Sequence, residues 1–586
     1  MDPNMSAAGE PPQNQQPQVQ QPQATVVPMG EAWAPGVYPV PVAGRGRKLR
    51  WGIAGAIVLI VALVTGAGIF VLSGGSGSKS LTASVAPKST VAFLEVRTDL
   101  PGDQHAKLAN FMSHFPGFKD QARFDTALDE MLNKLTGAVS PDLTYTSAFK
   151  PWMEGEVSVA ITDLGSGNTP PGAVAIVALK DKSAAQSWVD SELTKTGART
   201  TAQDYAGTQL YVFNSGVDAG AYAFSSQDLI LGTVDAVKAS LDTKTKGSLA
   251  DNASYQAAMG ALSGDNIARF YIDPQAMVKY YMNSYNAVMS SMGGLGTGMA
   301  MATLPISSSQ VPAWIVGSIR ADSNDMLVNV VMPKVSGSGA DNHASTLASV
   351  LPSSTVMATE MHSIGKLVTT ELNALDKSMP NDASLKDVKD GLGLIGGLDW
   401  LGDGAVVVTK DGSTYGGGVV VEATDSSTAS AKVSMVRNLL ALAGGSANLT
   451  TRDETYKGVD ITVITLPSDP VSTVGAEQIA FAAKGNLIVV GLGDALVKSV
   501  IDTTPSNSLA SQSDYITVMA AAGSNNEQSV YVNIPALEDQ IGQAVFAVSP
   551  SRWTQDYKPY FDHIGGIGYS VIDGNTVILR FIVTAK

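Results

Sequence analysis

The feature that most constrains this chain is that a long stretch of it reads twice. APKSTVAFLEV at 86–96 aligns with LPSSTVMATEM at 351–361, setting Pro87, Thr90, Val91 and Glu95 against Pro352, Thr355, Val356 and Glu360 at an offset of 265. PWMEGEVSVAI at 151–161 and DWLGDGAVVVT at 399–409 follow, with Trp152 against Trp400 at 248. Ser248, Leu249, Tyr255, Met259 and Tyr271 then meet Ser508, Leu509, Tyr515, Met519 and Tyr531, all at 260, and Ser318 meets Ser570 at 252. A preserved order of matches marks duplicated architecture, and shifting offsets mark insertions in surface loops. Two tandem homologous modules are therefore expected, 81–333 and 343–586, joined by a Gly/Ser-containing linker at 334–342.

Periodicity within the first copy is mixed. The apolar runs TVAFLEV, EVSVAIT, AVAIVALK, TQLYVFN, GAYAFSS, LILGT, IARFYID, AWIVGSIRA and MLVNVVM read as strands, several joined by short Gly, Asn or Asp turns that imply antiparallel neighbours. Helical patterns fall at 104–113, 119–135, 183–195, 234–241, 254–261 and 274–292, with Ser183 and Ser254 as N-caps. The expected fold class is α+β: in each module a twisted antiparallel sheet with helices on one face.

Ahead of the repeats, WGIAGAIVLIVALVTGAGIFVL runs from Trp51 to Leu72 without a charge. As a helix it spans roughly 33 Å, enough for a bilayer. It starts too far from the N-terminus and is too long for a cleaved signal, so an uncleaved signal anchor is expected. Arg45, Arg47, Lys48 and Arg50 crowd its N-terminal flank, which predicts a cytoplasmic N-terminus, with Trp51 at the inner interface and the modules outside. A Gly/Ser hinge at 73–80 follows, and the Pro/Gln-rich tail at 1–50 is predicted to be disordered.

Absence of cysteine excludes disulfides, thiolate metal sites and a thiol nucleophile. The exported part carries a formal charge of about −16, which opposes nucleic acid as a partner.

The run VAPKSTVAFLEVRTDLPGDQHAKLANFMSHFPGF, followed by Pro151-Trp152-Met153-Glu154-Gly155 turning into a strand, resembles the bacterial domain-of-unknown-function family 3352 (DUF3352). The family's Trp-Leu-Gly order is kept more closely by Trp400-Leu401-Gly402 than by Trp152-Met153-Glu154. The resemblance covers 81–586 and implies an N-terminally anchored protein, with no activity attached.

Chemistry is sparse. The histidines His105, His114, His343, His362 and His563 show no paired helical spacing, so zinc is not expected and each reads as a surface or turn residue. No GxSxG stands at a strand-to-helix turn, Ser363-Ile364-Gly365-Lys366 fits SxxK by chance, and GGSGSK at 74–79 lacks the spacing of a phosphate loop. Glu154 and Glu156 share a strand face with Trp152 and read as a solvated edge, while Asp99 and Asp103 read as caps of the helix near Gln104. No catalytic, cofactor or metal residue is expected. The segment from Tyr280 to Ile306 carries Met282, Met289, Met292, Met299 and Met301 among glycines, a pliable apolar surface suited to a hydrophobic partner.

Three functions are compatible with this reading. The first is a non-catalytic envelope binding or scaffold protein, held in the lipid bilayer by one helix. The second is a carrier or sensor of a hydrophobic small molecule or lipid. The third is an envelope carbohydrate hydrolase, which requires carboxylates converging near Trp152 or Trp400.

Overall fold

The structure, a computed structural model, describes residues 80–586 apart from 140–142, 166–170, 214–218, 292–310, 336–340, 380–381, 395, 448–449, 467–477 and 546–548. In the first half the strands are β1 (Ala92–Arg97), β2 (Met153–Asp163), β3 (Gly172–Leu179), β4 (Thr200–Tyr205), β5 (Thr208–Phe213), β6 (Gly220–Phe224), β7 (Asp228–Thr233), β8 (Ala268–Ile272), β9 (Ile315–Asp322) and β10 (Asp325–Pro333). In the second they are β11 (His343–Ala344), β12 (Thr355–Met361), β13 (Leu401–Asp411), β14 (Thr414–Ala423), β15 (Thr450–Tyr456), β16 (Val459–Thr465), β17 (Gln478–Lys484), β18 (Leu487–Leu492), β19 (Asn525–Asn526), β20 (Gln528–Asn533), β21 (Ile564–Asp573) and β22 (Thr576–Ala585).

All but β11 and β19, which pair with each other, belong to one 20-stranded sheet. Its pairings are antiparallel throughout. The first half runs 4-5-6-7-3-2-1-8-9-10 in space. The second half runs 15-16-17-18-14-13-12-20-21-22, the same order with each strand in the corresponding place. β10 and β22, the last strand of each half, pair along Asp325–Pro333 and so join the halves edge to edge. Polar, largely exposed strands, TTAQDY in β4 and TTRDETY in β15, close the two outer edges. Such sequences blunt an edge against further pairing. β4 lacks the apolar alternation by which strands are recognised, which is why the sequence reading passed over it.

Helices do not lie on one face, as the sequence reading expected. In the first half one core joins Val157, Val177 and Leu229 to Leu108, Leu128 and Val189 of the helices Gln104–Met112, Phe124–Val139 and Lys182–Thr196. The other core joins Phe93, Ile176 and Ile230 to Val237 and Tyr255 of Val234–Leu241 and Ala253–Gly260. Since β3 reads GAVAIVAL, both of its faces must be covered. In the second half Val489 and Leu487 pack on Ala495–Asp502 and Ser513–Ala522, while Phe481 packs on Val433 of Ser426–Ala447 across the sheet.

Two caps also differ from expectation. Asp181, rather than Ser183, accepts from Ala184 N at 2.9 Å, and Asn252, rather than Ser254, accepts from Ser254 N and Tyr255 N. Each stands two residues upstream, where its backbone is extended.

Among the described residues no helix is long and apolar enough to cross a membrane. The candidate span, Trp51 to Leu72, lies outside the described residues.

Candidate functional site

Two buried polar clusters occupy corresponding places in the two halves. In the first, β1 sets Glu95 opposite Ser158 on one side and Arg269 on the other, and Arg97 opposite Glu156. Arg269 Nη2 reaches Glu95 Oε1 at 2.5 Å, and Arg97 grips Asp99 through Nε at 2.7 Å and Nη2 at 2.5 Å. Glu156, 1% exposed, accepts from Ser80 Oγ, Thr82 N and Thr82 Oγ1 at 2.8, 2.8 and 2.7 Å, with Arg97 Nη1 at 3.6 Å. Complete burial pushes the Glu95 carboxyl above its usual value, against the pull of Arg269. Three carboxylates thus meet two fixed cations, with Glu95 Oε2 and Arg269 Nε buried and, among the described residues, without a hydrogen-bond partner.

Glu156 was expected on a solvated edge beside Glu154. Gly155, at φ +112°, sits in a bulge of β2 between Met153 and Val157, so the strict two-residue alternation fails there. Glu154 stays exposed while Glu156 is enclosed. Trp152 is core, 2% exposed, donating Nε1 to Ala148 O at 2.6 Å. Asp99 serves Arg97 rather than a helix end. Asp103 occupies the N-cap position of Gln104–Met112, but its carboxylate pairs with Lys107 at 3.2 Å instead of capping.

In the second half β12 sets Glu360 opposite Ala405 and Ser529, the pairing that Glu95 makes with Ser158 and Arg269. Two residues on, where the first half has Arg97, stands His362; Asp403, beyond the Met361–Gly404 pair, stands where Glu156 does. β11 brings in His343, whose ring stacks on His362 at 3.9 Å between centroids. His343 Nε2 lies 3.4 Å from Asp403 Oδ2, and His362 Nε2 lies 3.3 Å from Glu360 Oε1. Each Nδ1 faces a main-chain carbonyl: His362 that of Asn526 at 2.7 Å, His343 that of Ala344 at 3.0 Å. Burial alone would lower the His362 pKa, but Glu360, Asp403 and the Asn526 carbonyl raise it above the ordinary value. Glu422 nearby is raised by burial and by the charges of Asp403 and Glu360.

Ligand atoms of His343, His362 and Asp403 lie within 4.8 Å of one another, and among the described residues no other group of histidines and carboxylates could hold a metal ion. Each histidine was expected at the surface or in a turn, yet His362 is 1% exposed, enclosed at the end of β12 with His343 stacked on it. A signal was nevertheless present, because the offset of 265 that aligns Glu95 with Glu360 also aligns Arg97 with His362.

A third feature is a row of side chains on the opposite face of the second half. Val406, Val419 and Val490 are paired in sequence across β13, β14 and β18 and are 57, 39 and 37% exposed. The corresponding row in the first half contains Ala175 and Leu231, 2 and 4% exposed beneath helices. Leu492 at 49% and Val436 and Leu439 of the helix Ser426–Ala447, at 41 and 54%, add to the exposed apolar surface.

Of the methionines expected to form a binding segment, Met282 is half-buried in the helix Pro274–Ser291. The Met289 side chain, and Met292, Met299 and Met301 altogether, lie outside the described residues, as do Arg45, Arg47, Lys48, Arg50, Trp51 and Leu72.

Fold and clusters together define an α+β protein built on one long antiparallel sheet, carrying a buried arginine–carboxylate cluster in one half and a histidine–carboxylate cluster in the other. The family profile described as "Protein of unknown function (DUF3352)" matches residues 53–583, and the chain belongs to that family. No protein of curated function matches. Two solved structures, crystal forms I and III of TP0453, are similar over 43 and 45% of this chain and 77 and 88% of theirs, at 7 and 9% identity. Their TM-scores are both 0.22.

Proposed function

We propose that the protein is a non-catalytic binding protein of the cell envelope, tethered by a helix at 51–72 with its N-terminus cytoplasmic, and that it holds an apolar chain against the open sheet face of its second half. The exported body consists of two modules from a tandem duplication; the recurring strand order and residue offsets support this reading. One module kept this row covered; the other exposes it beside the helix Ser426–Ala447, which covers only part of the face.

The observation that carries the binding role is the contrast between Val419 and Val490, at 39 and 37%, and their covered counterparts Ala175 and Leu231. Exposed apolar rows on otherwise soluble bodies mark sites of interaction. A tether beside a bilayer makes lipid the nearest apolar partner, and the strong negative charge of the body disfavours anionic head groups.

Lipid extraction and native mass spectrometry of the purified chain test this. Wild-type protein retains lipid, and Val419→Lys/Val490→Lys loses it with an unchanged circular dichroism spectrum. An empty wild-type chain, or equal retention by both, removes the binding role and leaves a scaffold.

A further inference from the structure

The histidine–carboxylate cluster of the second half lacks the arginines that its counterpart carries. Glu95 and Glu156 face Arg97 and Arg269, whereas Glu360 and Asp403 stand in the same pairings with His362 and Ser529, so both fixed cations are missing. Glu360 and Asp403 are nonetheless 4 and 5% exposed, and His362 is 1% exposed. Buried carboxylates require a compensating charge.

Donor orientation narrows what that charge can be. With Nδ1–H of each imidazole donated to a carbonyl, each Nε2 presents a lone pair, and each lone pair faces a carboxylate oxygen at 3.3 or 3.4 Å. Lone pairs so opposed need a cation between them. Two protons would suffice for charge, but would create two imidazoliums stacked at 3.9 Å. One divalent ion answers His343, His362 and Asp403 at once, since their ligand atoms lie within 4.8 Å of one another, and its charge also offsets that of Glu360 beside His362.

The separations of 3.3 and 3.4 Å equal the edge of a tetrahedron whose ligands lie about 2.0–2.1 Å from its centre. A carbonyl holding the far nitrogen of a histidine is also the usual outer support of a metal ligand. Two imidazoles disfavour calcium and magnesium and suit zinc. His343, its side chain 36% exposed, gives the ion its route in, and a tilt of this ring off His362 brings both nitrogens to bear.

We propose that His343, His362 and Asp403, with Glu360 beside them, bind one divalent cation of the zinc class, which supplies in the second half the charge that Arg97 and Arg269 supply in the first.

The test uses the full chain in detergent, stripped with chelator and titrated with Zn²⁺ alone by calorimetry, then with Co²⁺ followed by visible absorption. One equivalent of zinc is expected to bind and raise the thermal midpoint, and cobalt to give the intense bands of a four-coordinate site. His343→Ala, at a half-exposed position that leaves the core intact, lowers zinc affinity at least tenfold, as does Asp403→Asn, while Glu154→Gln in the first half changes nothing. Zinc binding no tighter in wild type than in His343→Ala, or a cobalt spectrum of the hydrated ion, overturns the proposal. The inference is independent of lipid binding, because the cluster faces away from the Val406 row; either can fail while the other stands.

Discussion

Arg580 donates its Nε hydrogen to Asn329 Oδ1 at 3.0 Å, and the two residues face each other in the register of β10 and β22. They are corresponding residues: Asn329 is the hairpin partner of Ser318, and Arg580 of Ser570. An approximate two-fold axis therefore runs through this pair. Leu327 of β10 lies in the core of the second half, and Ile578 of β22 packs on a core of the first. Each half thus completes its neighbour, which is the self-complementary logic of a symmetric interface.

Removing this contact weakens the seam. Arg580→Ala is expected to cost about 1.5–3 kcal/mol, the range for a hydrogen bond to a charged group. Chemical denaturation followed by fluorescence checks it; a midpoint equal to wild type would show that the seam does not use this bond.

The first-half ion cluster predicts a larger and non-additive effect. Arg97→Met leaves Glu156 and Asp99 without their cation and is expected to destabilise by about 3–5 kcal/mol. Adding Glu156→Gln recovers part of that loss. A double-mutant cycle in urea measures the coupling, and strict additivity would mean that the two side chains do not share one network.

Stability should also depend on pH through the β9–β10 turn. Burial and the neighbouring Asp322 raise the Asp325 carboxyl to about 6. A group whose folded pKa is raised contributes stability that is full below its unfolded value near 4 and lost as pH rises through about 6. Asp325→Asn removes that loss. Its advantage over wild type in thermal midpoint should grow between about pH 4 and about pH 7; a pH-independent difference would contradict the assignment.

Much of the fold is written in local pattern. The helix expected at 234–241 spans Val234–Leu241, with Ala236 and Val237 on its buried side. The aligned residues also recur in space. Pro87 bridges Ser248 as Pro352 bridges Ser508, and Tyr255 meets Tyr271 edge-on at 5.4 Å as Tyr515 meets Tyr531 at 5.2 Å. What escaped is non-local or irregular. The bulge at Gly155 takes Glu154 out of step with Glu156, which lines up with buried Ser158 and Ala160. The β10–β22 seam depends on symmetry that no single strand reveals. His343 and His362, 19 residues apart, meet because β11 pairs with β19 and places its histidine over the end of β12, a consequence of tertiary pairing.

The proposed role stands on placement outside the membrane, and a chain without cysteine makes that directly measurable. Gln203→Cys lies on the exposed edge strand β4, and Ser6→Cys lies in the N-terminal tail. Treated as intact cells with a membrane-impermeant maleimide, Gln203→Cys should label and Ser6→Cys should label only after lysis. Labelling of Ser6→Cys alone in intact cells, or protection of both, would contradict an envelope-facing body.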